Sequence, residues 1–262
     1  MLTPWRTAIV HARDGEIRIR GRDVTSLMRE ATFTDTIFLL HRGEMPTARE
    51  RRLLDAILTS VADHGANAPS CATARLSASG NRQSVSANVA AGLLAIGDEH
   101  GGAGEQCMAM IADGLSRARE RGISIAAAAE SVVDDSRKIR KRLPGLGHRV
   151  HTIDPRVEVL FSLSRDGERE PDAVLFMRAL QRAATERIKP LPINIDGAIA
   201  AVLHDLGYPA EAAKLIFIVG RTAGLAAHVL EEYTRERPMR VRIPVVYDGP
   251  PAIDVPAEEV QR

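Results

Sequence analysis

Apolar residues recur at three- and four-residue spacing along most of this chain, and a glycine or proline ends nearly every such run. This spacing places apolar side chains on one face of a helix, while glycine and proline are typical of helix ends. Only 3% of the residues are aromatic, and many alanines permit close helix packing. The pattern predicts a mostly α protein with helices inside residues 23–43, 47–65, 81–97, 105–122, 124–142, 171–188 and 210–237.

The two ends of the chain differ from this pattern. The segment TAIVHARDGEIRIRG (7–21) alternates apolar and polar residues on both sides of Asp14-Gly15, a pair suited to a tight turn. It predicts a small amino-terminal β-hairpin. The segment RIPVVYDGPPAIDVPAEEVQR (242–262) is rich in proline, and we expect it to be extended.

Composition excludes several classes of protein. With 262 residues, 45% of them hydrophobic, the chain can bury a sizeable core. Its net charge of +1 gives no overall field that favours nucleic acid or an anionic membrane, so neither is expected as a partner. No apolar run of membrane-spanning length and no targeting pattern is evident, and the two cysteines lack a CxxC spacing. We therefore expect a cytoplasmic protein.

Polar breaks between the helical patterns carry the candidate chemistry. The stretches ADHGANAPS, GDEHGGAGE, PGLGHRVH and LPINIDGA each hold a histidine or an acid, and three of the histidines lie beside a glycine. Imidazoles can polarise a carbonyl and move protons near neutral pH, and arginines bind carboxylates with paired N–H groups. The candidate site residues are His64, His100, His148, Asp196, Arg156 and Arg221.

These breaks, in this order, resemble the citrate synthase superfamily over nearly the whole chain. DHGANAPS is similar to its first histidine motif, HGGAGE to its catalytic-histidine motif, GLGHRVHTIDPR to its signature and NIDG to its catalytic-aspartate motif. GRTAGLAAHVLEE and VRIPVVYDGP resemble its closing arginine segments. The resemblance implies a two-domain helical fold, with a large dimerisation domain (1–102 and 208–262) and a small domain (103–207) that binds coenzyme A (CoA).

The resemblance also implies roles for individual residues. Asp196 would be the base that takes a proton from an acyl-CoA thioester, and His100 would stabilise the enolate oxygen. His148 would polarise the ketone of a 2-oxo acid such as oxaloacetate, whose carboxylates would be gripped by His64, Arg156 and Arg221. One further arginine would come from the partner subunit of a homodimer; Arg242 fits best, with Arg237 and Arg240 as alternatives.

A basic run before the glycine loop is the candidate CoA site. Such a run also suits the solvated carboxy-terminal end of a helix, whose dipole favours cations. Beside Gly145 and Gly147, which we expect to expose backbone N–H groups, we interpret it as a site for CoA phosphates and adenine. This candidate site is formed by Lys138, Arg140, Lys141, Arg142, Gly145, Leu146 and Gly147. CoA enters as a co-substrate and no permanent cofactor is expected. His148 and His151 lack a third ligand, so no metal is predicted.

Two departures from longer family members bear on the reaction. The segment between Pro46 and Asp63 holds a single helix, a compact form that looks most like citryl-CoA lyase and the citryl-CoA-cleaving module of ATP citrate lyase. His100, however, is typical of the synthases, and the loop from His148 to Arg156 is one residue short. The leading hypothesis is cleavage of citryl-CoA to acetyl-CoA and oxaloacetate; the alternatives are a citrate or 2-methylcitrate synthase, and a CoA-binding regulatory module without activity.

Overall fold

The structure, a computed structural model, describes residues 4–147 and 153–250 and is mostly helical, as predicted. Three short strands come first: β1 (Val10–Arg13), β2 (Glu16–Ile19) and β3 (Arg22–Asp23). The helices in the described residues are α1 (Val24–Glu30), α2 (Phe33–Arg42), α3 (Ala48–Val61), α4 (Pro69–Gly80), α5 (Val85–Leu94), α6 (Ala103–Arg121), α7 (Ile125–Lys138), α8 (Pro155–Ser164), α9 (Asp172–Arg187), α10 (Ile195–Asp205) and α11 (Ala212–Arg235).

The predicted amino-terminal hairpin is confirmed. Strands β1 and β2 pair in antiparallel register, with Val10 opposite Ile19, and the connecting turn places Gly15 at a φ of 72°. Strand β3 adds an antiparallel edge next to β2, so the hairpin is part of a three-stranded sheet. The third strand was not predicted, because its two residues are too few to show an alternating pattern.

Threonine caps fix where two of the first helices begin. Thr32 accepts a hydrogen bond from the Asp35 amide and the Asp35 side chain accepts one from the Thr32 amide, a capping box that starts α2. Thr47 and Glu50 form the same arrangement at the start of α3. The first box divides the stretch 23–43, predicted as one helical segment, into α1 and α2.

Helices α4, α8 and α10 were not predicted. Almost every residue of α10 is buried, and a helix that is apolar all round shows no periodic stripe in its sequence. Helix α4 is built largely from alanine and serine, and α8 has only ten residues. In each of the three, burial against neighbouring helices rather than amphipathic patterning stabilises the helix.

The helices form two packed groups that share a core. Helices α6, α7, α9 and α10 pack on one another, while α3, α4 and α5 pack against α11. The larger core extends from Phe38 in α2 to Phe217 in α11, and a smaller one lies between α4 and α11. The first group consists of helices between the predicted boundaries at 103 and 207, and the second group consists of helices outside them. The division into two domains stays a prediction.

Helix α11 crosses the molecule and carries several site residues. By length and composition alone it is apolar enough to span a membrane, contrary to the expectation that no segment would be. It nevertheless buries Arg221 and Glu232 and packs against five other helices, as a core helix does. After it, the described residues 242–250 form neither helix nor strand and are exposed, as predicted for an extended segment.

Candidate active site

Five of the predicted site residues line one cavity of about 170 Å³. They come from separate parts of the chain: the loop after α3, the loop before α6, and helices α8, α10 and α11. Glu99, Asn194 and Phe217 complete much of the wall. His148, the sixth predicted residue, lies outside the described residues. The residues that meet in the cavity are His64, His100, Arg156, Asp196 and Arg221.

Asp196 lies in the first turn of α10, where it is partly buried and faces the cavity. The preceding Asn194 caps this helix by accepting a hydrogen bond from the Gly197 amide at 3.1 Å. Burial raises the pKa of the Asp196 carboxyl, and the charges of Arg156 and Arg221 only partly oppose this effect. A carboxyl with a raised pKa is suited to exchanging a proton with a carbon acid at moderate pH.

His100 sits in a tight turn just before α6, formed by reciprocal backbone hydrogen bonds of 3.0 Å between His100 and Gly97. Its Nε2 accepts a 3.4 Å hydrogen bond from the Ser70 amide and lies 2.9 Å from the Ser70 hydroxyl. Because an amide can only donate, Nε2 carries no proton and the proton of the neutral ring resides on Nδ1. Burial, then Arg221 and His64, lower the pKa of His100, which keeps the ring neutral.

Arg221 is buried in α11 and anchored from two directions. Its Nε donates to the Val61 carbonyl at 2.8 Å, and its Nη1 donates to the Ser70 hydroxyl at 3.1 Å. The guanidinium also stacks over the Phe217 ring, 5.0 Å from its centroid. Burial lowers the pKa of Arg221, yet a guanidinium stays charged, so the cavity holds a fixed cation with N–H groups still available.

Arg156 is the second cation of the cavity. Residues Asp154 and Pro155 start α8, and the Asp154 carboxylate holds the Arg156 side chain through Nε at 2.9 Å and Nη2 at 2.7 Å. Arg156 Nη1 also donates to the Ser60 carbonyl at 3.0 Å. These contacts orient the guanidinium, as needed for directional binding of a carboxylate. The short loop before it therefore still brings Arg156 to the cavity.

The glycine loop serves packing more than the predicted exposure of N–H groups. The Gly147 amide donates to the Pro192 carbonyl at 2.7 Å, so it is not offered to a ligand. Gly145 has a φ of +81°, and a side chain there would lie 2.5 Å from the Cys107 sulfur and 2.8 Å from the Gly197 Cα. Gly145 therefore lets the loop approach the start of α10 closely, and the predicted exposure of the Gly147 amide is wrong because that amide is already bonded.

The predicted CoA residues lie at the end of α7 and in the turn that follows, with their charged groups exposed. Lys138 pairs with Asp135 at 3.2 Å. Arg142 lies 3.5 Å from Glu99, which lines the cavity. Leu146 forms a short antiparallel bridge with Ile193. The basic run therefore begins on a solvated helix end and reaches the rim of the cavity.

The three candidate partner arginines are not equivalent. Arg240 binds the fully buried Glu232 through Nε at 2.9 Å and Nη2 at 2.6 Å, and pairs with Glu236 at 3.1 Å. It is thus engaged within its own chain. Arg237 and Arg242 are exposed, and Arg242 begins the extended segment. Arg242 therefore stays the predicted partner arginine, and Arg237 stays an alternative.

Sequence reasoning missed the residues that hold the site residues in place. Ser70 links His100 to Arg221, Asp154 orients Arg156, and Asn194 caps α10 while its amide Nδ2 donates to the Gly147 carbonyl at 2.8 Å. Asp154-Pro155 and the Asn194 cap could have been recognised as helix starts. Ser70 offers no such signal, because its partners are distant in sequence.

A larger cavity of about 460 Å³ lies elsewhere, between the start of α3, α6 and the end of α10. It contains none of the predicted residues. Two of its arginines are already paired with aspartates, Arg49 with Asp205 and Arg169 with Asp172. Its wall holds three arginines and three aspartates, so the formal charges of these side chains balance.

Comparison with known proteins agrees with this site. The family described as "Citrate synthase, C-terminal domain" matches residues 47–242, which is most of the chain. The chain belongs to the citrate synthase family. The match includes every described residue of the cavity.

Individual members of the citrate synthase family narrow the comparison. The citryl-CoA lyase from Hydrogenobacter thermophilus has a TM-score of 0.87 and 37% identity, over 98% of this chain and 99% of that one. The citrate synthase of Deinococcus radiodurans is 28% identical over 84% of this chain, which spans 57% of that relative's length. ATP citrate lyase from Methanothrix soehngenii, solved with citrate and coenzyme A, shares the fold at a TM-score of 0.78 and 22% identity, over 100% of this chain and 43% of its own.

Proposed function

We propose that this protein cleaves citryl-CoA to acetyl-CoA and oxaloacetate. The observation that carries the proposal is the end-to-end similarity to a citryl-CoA lyase, in which 98% of this chain covers 99% of the other. The citrate synthase of Deinococcus radiodurans, by contrast, is matched over only 57% of its length. The compact form also supports a lyase, whereas the polar residues of the cavity support an enzyme of this family in either direction.

The residues of the cavity, together with the predicted His148, would serve each stage of the cleavage. The tertiary hydroxyl of the citryl group would give its proton to His148, and the bond between the former oxaloacetate carbon and the acetyl carbon would break. The bonding electrons would pass to the thioester oxygen, where His100 would donate a hydrogen bond from Nδ1 to the enolate. Asp196, whose pKa is raised by burial, would then deliver its proton to the carbon.

The two anchored arginines support binding of the oxo-acid half. Arg156 and Arg221 are separately held, so their N–H groups can face different carboxylates of one small acid. His64 lines the same cavity and would add a third contact. Arg242 of the partner subunit would complete the grip in a homodimer, which we propose from the family resemblance together with the exposed extended segment.

Coenzyme A would enter as a co-substrate along the basic run. The pairing of Arg142 with Glu99 places the end of this run at the cavity rim, so a CoA thioester could extend from the cavity toward Lys138, Arg140 and Lys141. Phosphate groups would meet exposed cations there. We also propose a cytoplasmic location. This proposal rests on the cysteine content alone, since two cysteines without a CxxC spacing suit a reducing compartment.

Citrate synthase is the second candidate function. It is favoured by His100, which is typical of the synthases. The other motifs serve both reactions, because the same enolate must be stabilised in either direction. A 2-methylcitrate synthase would share these residues but take a larger acyl group. A CoA-binding regulatory module would bind CoA without turnover.

One pair of assays distinguishes these functions. The purified protein is incubated with citryl-CoA and, separately, with acetyl-CoA or propionyl-CoA plus oxaloacetate, while free thiol and oxaloacetate are followed. A lyase forms oxaloacetate from citryl-CoA without releasing free thiol. A synthase releases free thiol in the condensation assay. No turnover in either assay, with CoA binding retained in calorimetry, would contradict both enzyme proposals.

A further inference from the structure

One face of α11 contacts residues 61–63, the three residues that directly precede His64. Arg221 Nε donates to the Val61 carbonyl at 2.8 Å, and Gly224 packs so closely against Ala62 that any side chain there would collide with its carbonyl. His228 Nε2 lies 2.9 Å from Asp63 Oδ1. Positions 221, 224 and 228 follow one another along the same helix face. The loop that carries His64 therefore takes its position from α11.

Asp63 is the centre of a hydrogen-bonded group behind the cavity. Its carboxylate accepts from the Gly65 amide at 3.0 Å, from the Cys71 thiol at 3.2 Å and from His228. Burial acts to raise the pKa of Asp63, but these hydrogen bonds bring it down to about 2. The ionised carboxylate thus ties the loop after α3 to both α4 and α11.

Arg75 determines which nitrogen of His228 carries the proton. Its Nη1 lies 3.3 Å from His228 Nδ1 and donates to Glu231 at 3.0 Å, while its Nη2 pairs with the buried Glu232 at 3.1 Å. A guanidinium can only donate hydrogen bonds, so Nδ1 is the acceptor and Nε2–H is the donor to Asp63. The contact between His228 and Asp63 is therefore directional.

We propose that His228 is a positioning residue. It holds Asp63 and thereby sets the position of His64, which is proposed to bind the oxo acid. His228 does not line the cavity and would act only through the loop. For its kinetic readout the inference rests on the proposed function. The contact between His228 and Asp63, which we call the clamp, can be measured without turnover. Asp63, Cys71 and His228 are also zinc-ligand types with ligand atoms within 4.8 Å of one another, so the test includes metal analysis.

The kinetic test compares His228→Ala with His228→Gln, because a glutamine amide can donate from a similar distance and does not titrate. We expect His228→Ala to raise the KM for the citryl or oxo-acid substrate by roughly tenfold or more, the size of a lost charge-assisted hydrogen bond. The value of kcat should change less, and so should the KM for acetyl-CoA, a thioester that lacks the oxo-acid half. The variant His228→Gln should restore most of the lost affinity. His204→Ala, at the end of α10, is the matched histidine control. Equal losses for both substrates, or no rescue by Gln, would overturn the proposal.

Thiol labelling tests the clamp independently of activity. Cys71 and Cys107 are both fully buried, but only Cys71 contacts Asp63. In His228→Ala we expect Cys71 to be alkylated about tenfold faster, with Cys107 unchanged, since opening of the loop exposes one thiol only. Unchanged Cys71 labelling, or equal acceleration at both cysteines, would contradict local positioning. Stoichiometric zinc in the purified protein, lost in Cys71→Ser, would replace the proposal with a metal site. If wild type is inactive but labelling behaves as expected, the proposed function fails and the clamp stands.

Discussion

The Arg221 guanidinium donates a hydrogen bond of 3.1 Å to the Ser70 hydroxyl, across 151 positions of sequence. Because that hydroxyl oxygen accepts from arginine, its own proton is free to point at His100 Nε2, 2.9 Å away. One serine thus couples a cation proposed to bind the oxo acid to a histidine proposed to stabilise the enolate. The coupling fixes the His100 proton on Nδ1.

Ser70→Ala removes the side-chain half of this coupling and leaves the weaker amide contact. We expect kcat to fall by about tenfold or more with a smaller change in KM, because a misoriented His100 weakens stabilisation of the enolate more than substrate binding. Steady-state kinetics measure the split. Ser79→Ala in the same helix is the control, since the buried Ser79 hydroxyl has no partner among the described residues. A larger effect on KM than on kcat would argue against this role for Ser70.

Asp196→Asn should abolish exchange of acetyl-CoA methyl protons into deuterated water, measured by NMR. It should also stabilise the protein at neutral pH, because burial raises the folded pKa of Asp196. The native state binds a proton at Asp196 more readily than the unfolded state does. The contribution of this carboxyl to the free energy of unfolding is therefore lost as pH rises from the unfolded to the folded pKa. We expect the Tm of the variant to exceed that of wild type above this window and to match it below. Unchanged exchange would remove Asp196 from the mechanism.

The same raised pKa predicts the acid limb of the exchange rate. Exchange needs ionised Asp196 as the base, so the rate should fall as pH drops through the folded pKa, at a higher pH than for an ordinary aspartate. A pH profile of exchange checks this, and a limb at the ordinary aspartate pKa would contradict it.

Hybrid dimers test the proposed shared site. Asp196→Asn and Arg242→Ala proteins should each be inactive or weak alone, but a dimer with one of each subunit would contain one intact site. Random mixing should restore about one quarter of wild-type activity, because half the dimers are hybrids with one working site of two. Mixing Asp196→Asn with Asp196→Ala is the control and should restore nothing. Absence of restoration, with subunit exchange shown by mass spectrometry, would exclude Arg242 as the shared arginine.

Gly145→Ala should destabilise the fold, because the added methyl would meet the Cys107 sulfur at 2.5 Å and the Gly197 Cα at 2.8 Å. Gly167→Ala is the matched control, since Gly167 also has a positive φ, +62°, but no atom lies within 4 Å of its Cβ position. We expect denaturant unfolding to show a loss about 2–3 kcal/mol larger for Gly145→Ala than for the control. Equal losses would mean that only backbone conformation matters at Gly145.

Local patterns explain how much of the fold could be predicted from sequence. Periodicity gave most helices, and Asp14-Gly15 gave the hairpin turn, because both signals lie within a few residues. Helix α10 could not be predicted in this way, since burial on all sides removes the periodic stripe. The third strand is too short for any pattern.

The site shows the same division between local and distant information. The sequence by itself determined which residues are candidates for the chemistry, because recognisable local motifs contain His64, His100, Asp196, Arg156 and Arg221. Only the tertiary structure decided how they are held: Ser70 between His100 and Arg221, Asp63 beneath His228, and the Gly147 amide on Pro192. These contacts join segments that meet when α11 packs across α3 and α4 and the glycine loop meets α10. A motif records the residue type that a reaction needs, whereas hydrogen-bond partners depend on distances that exist only in the packed chain.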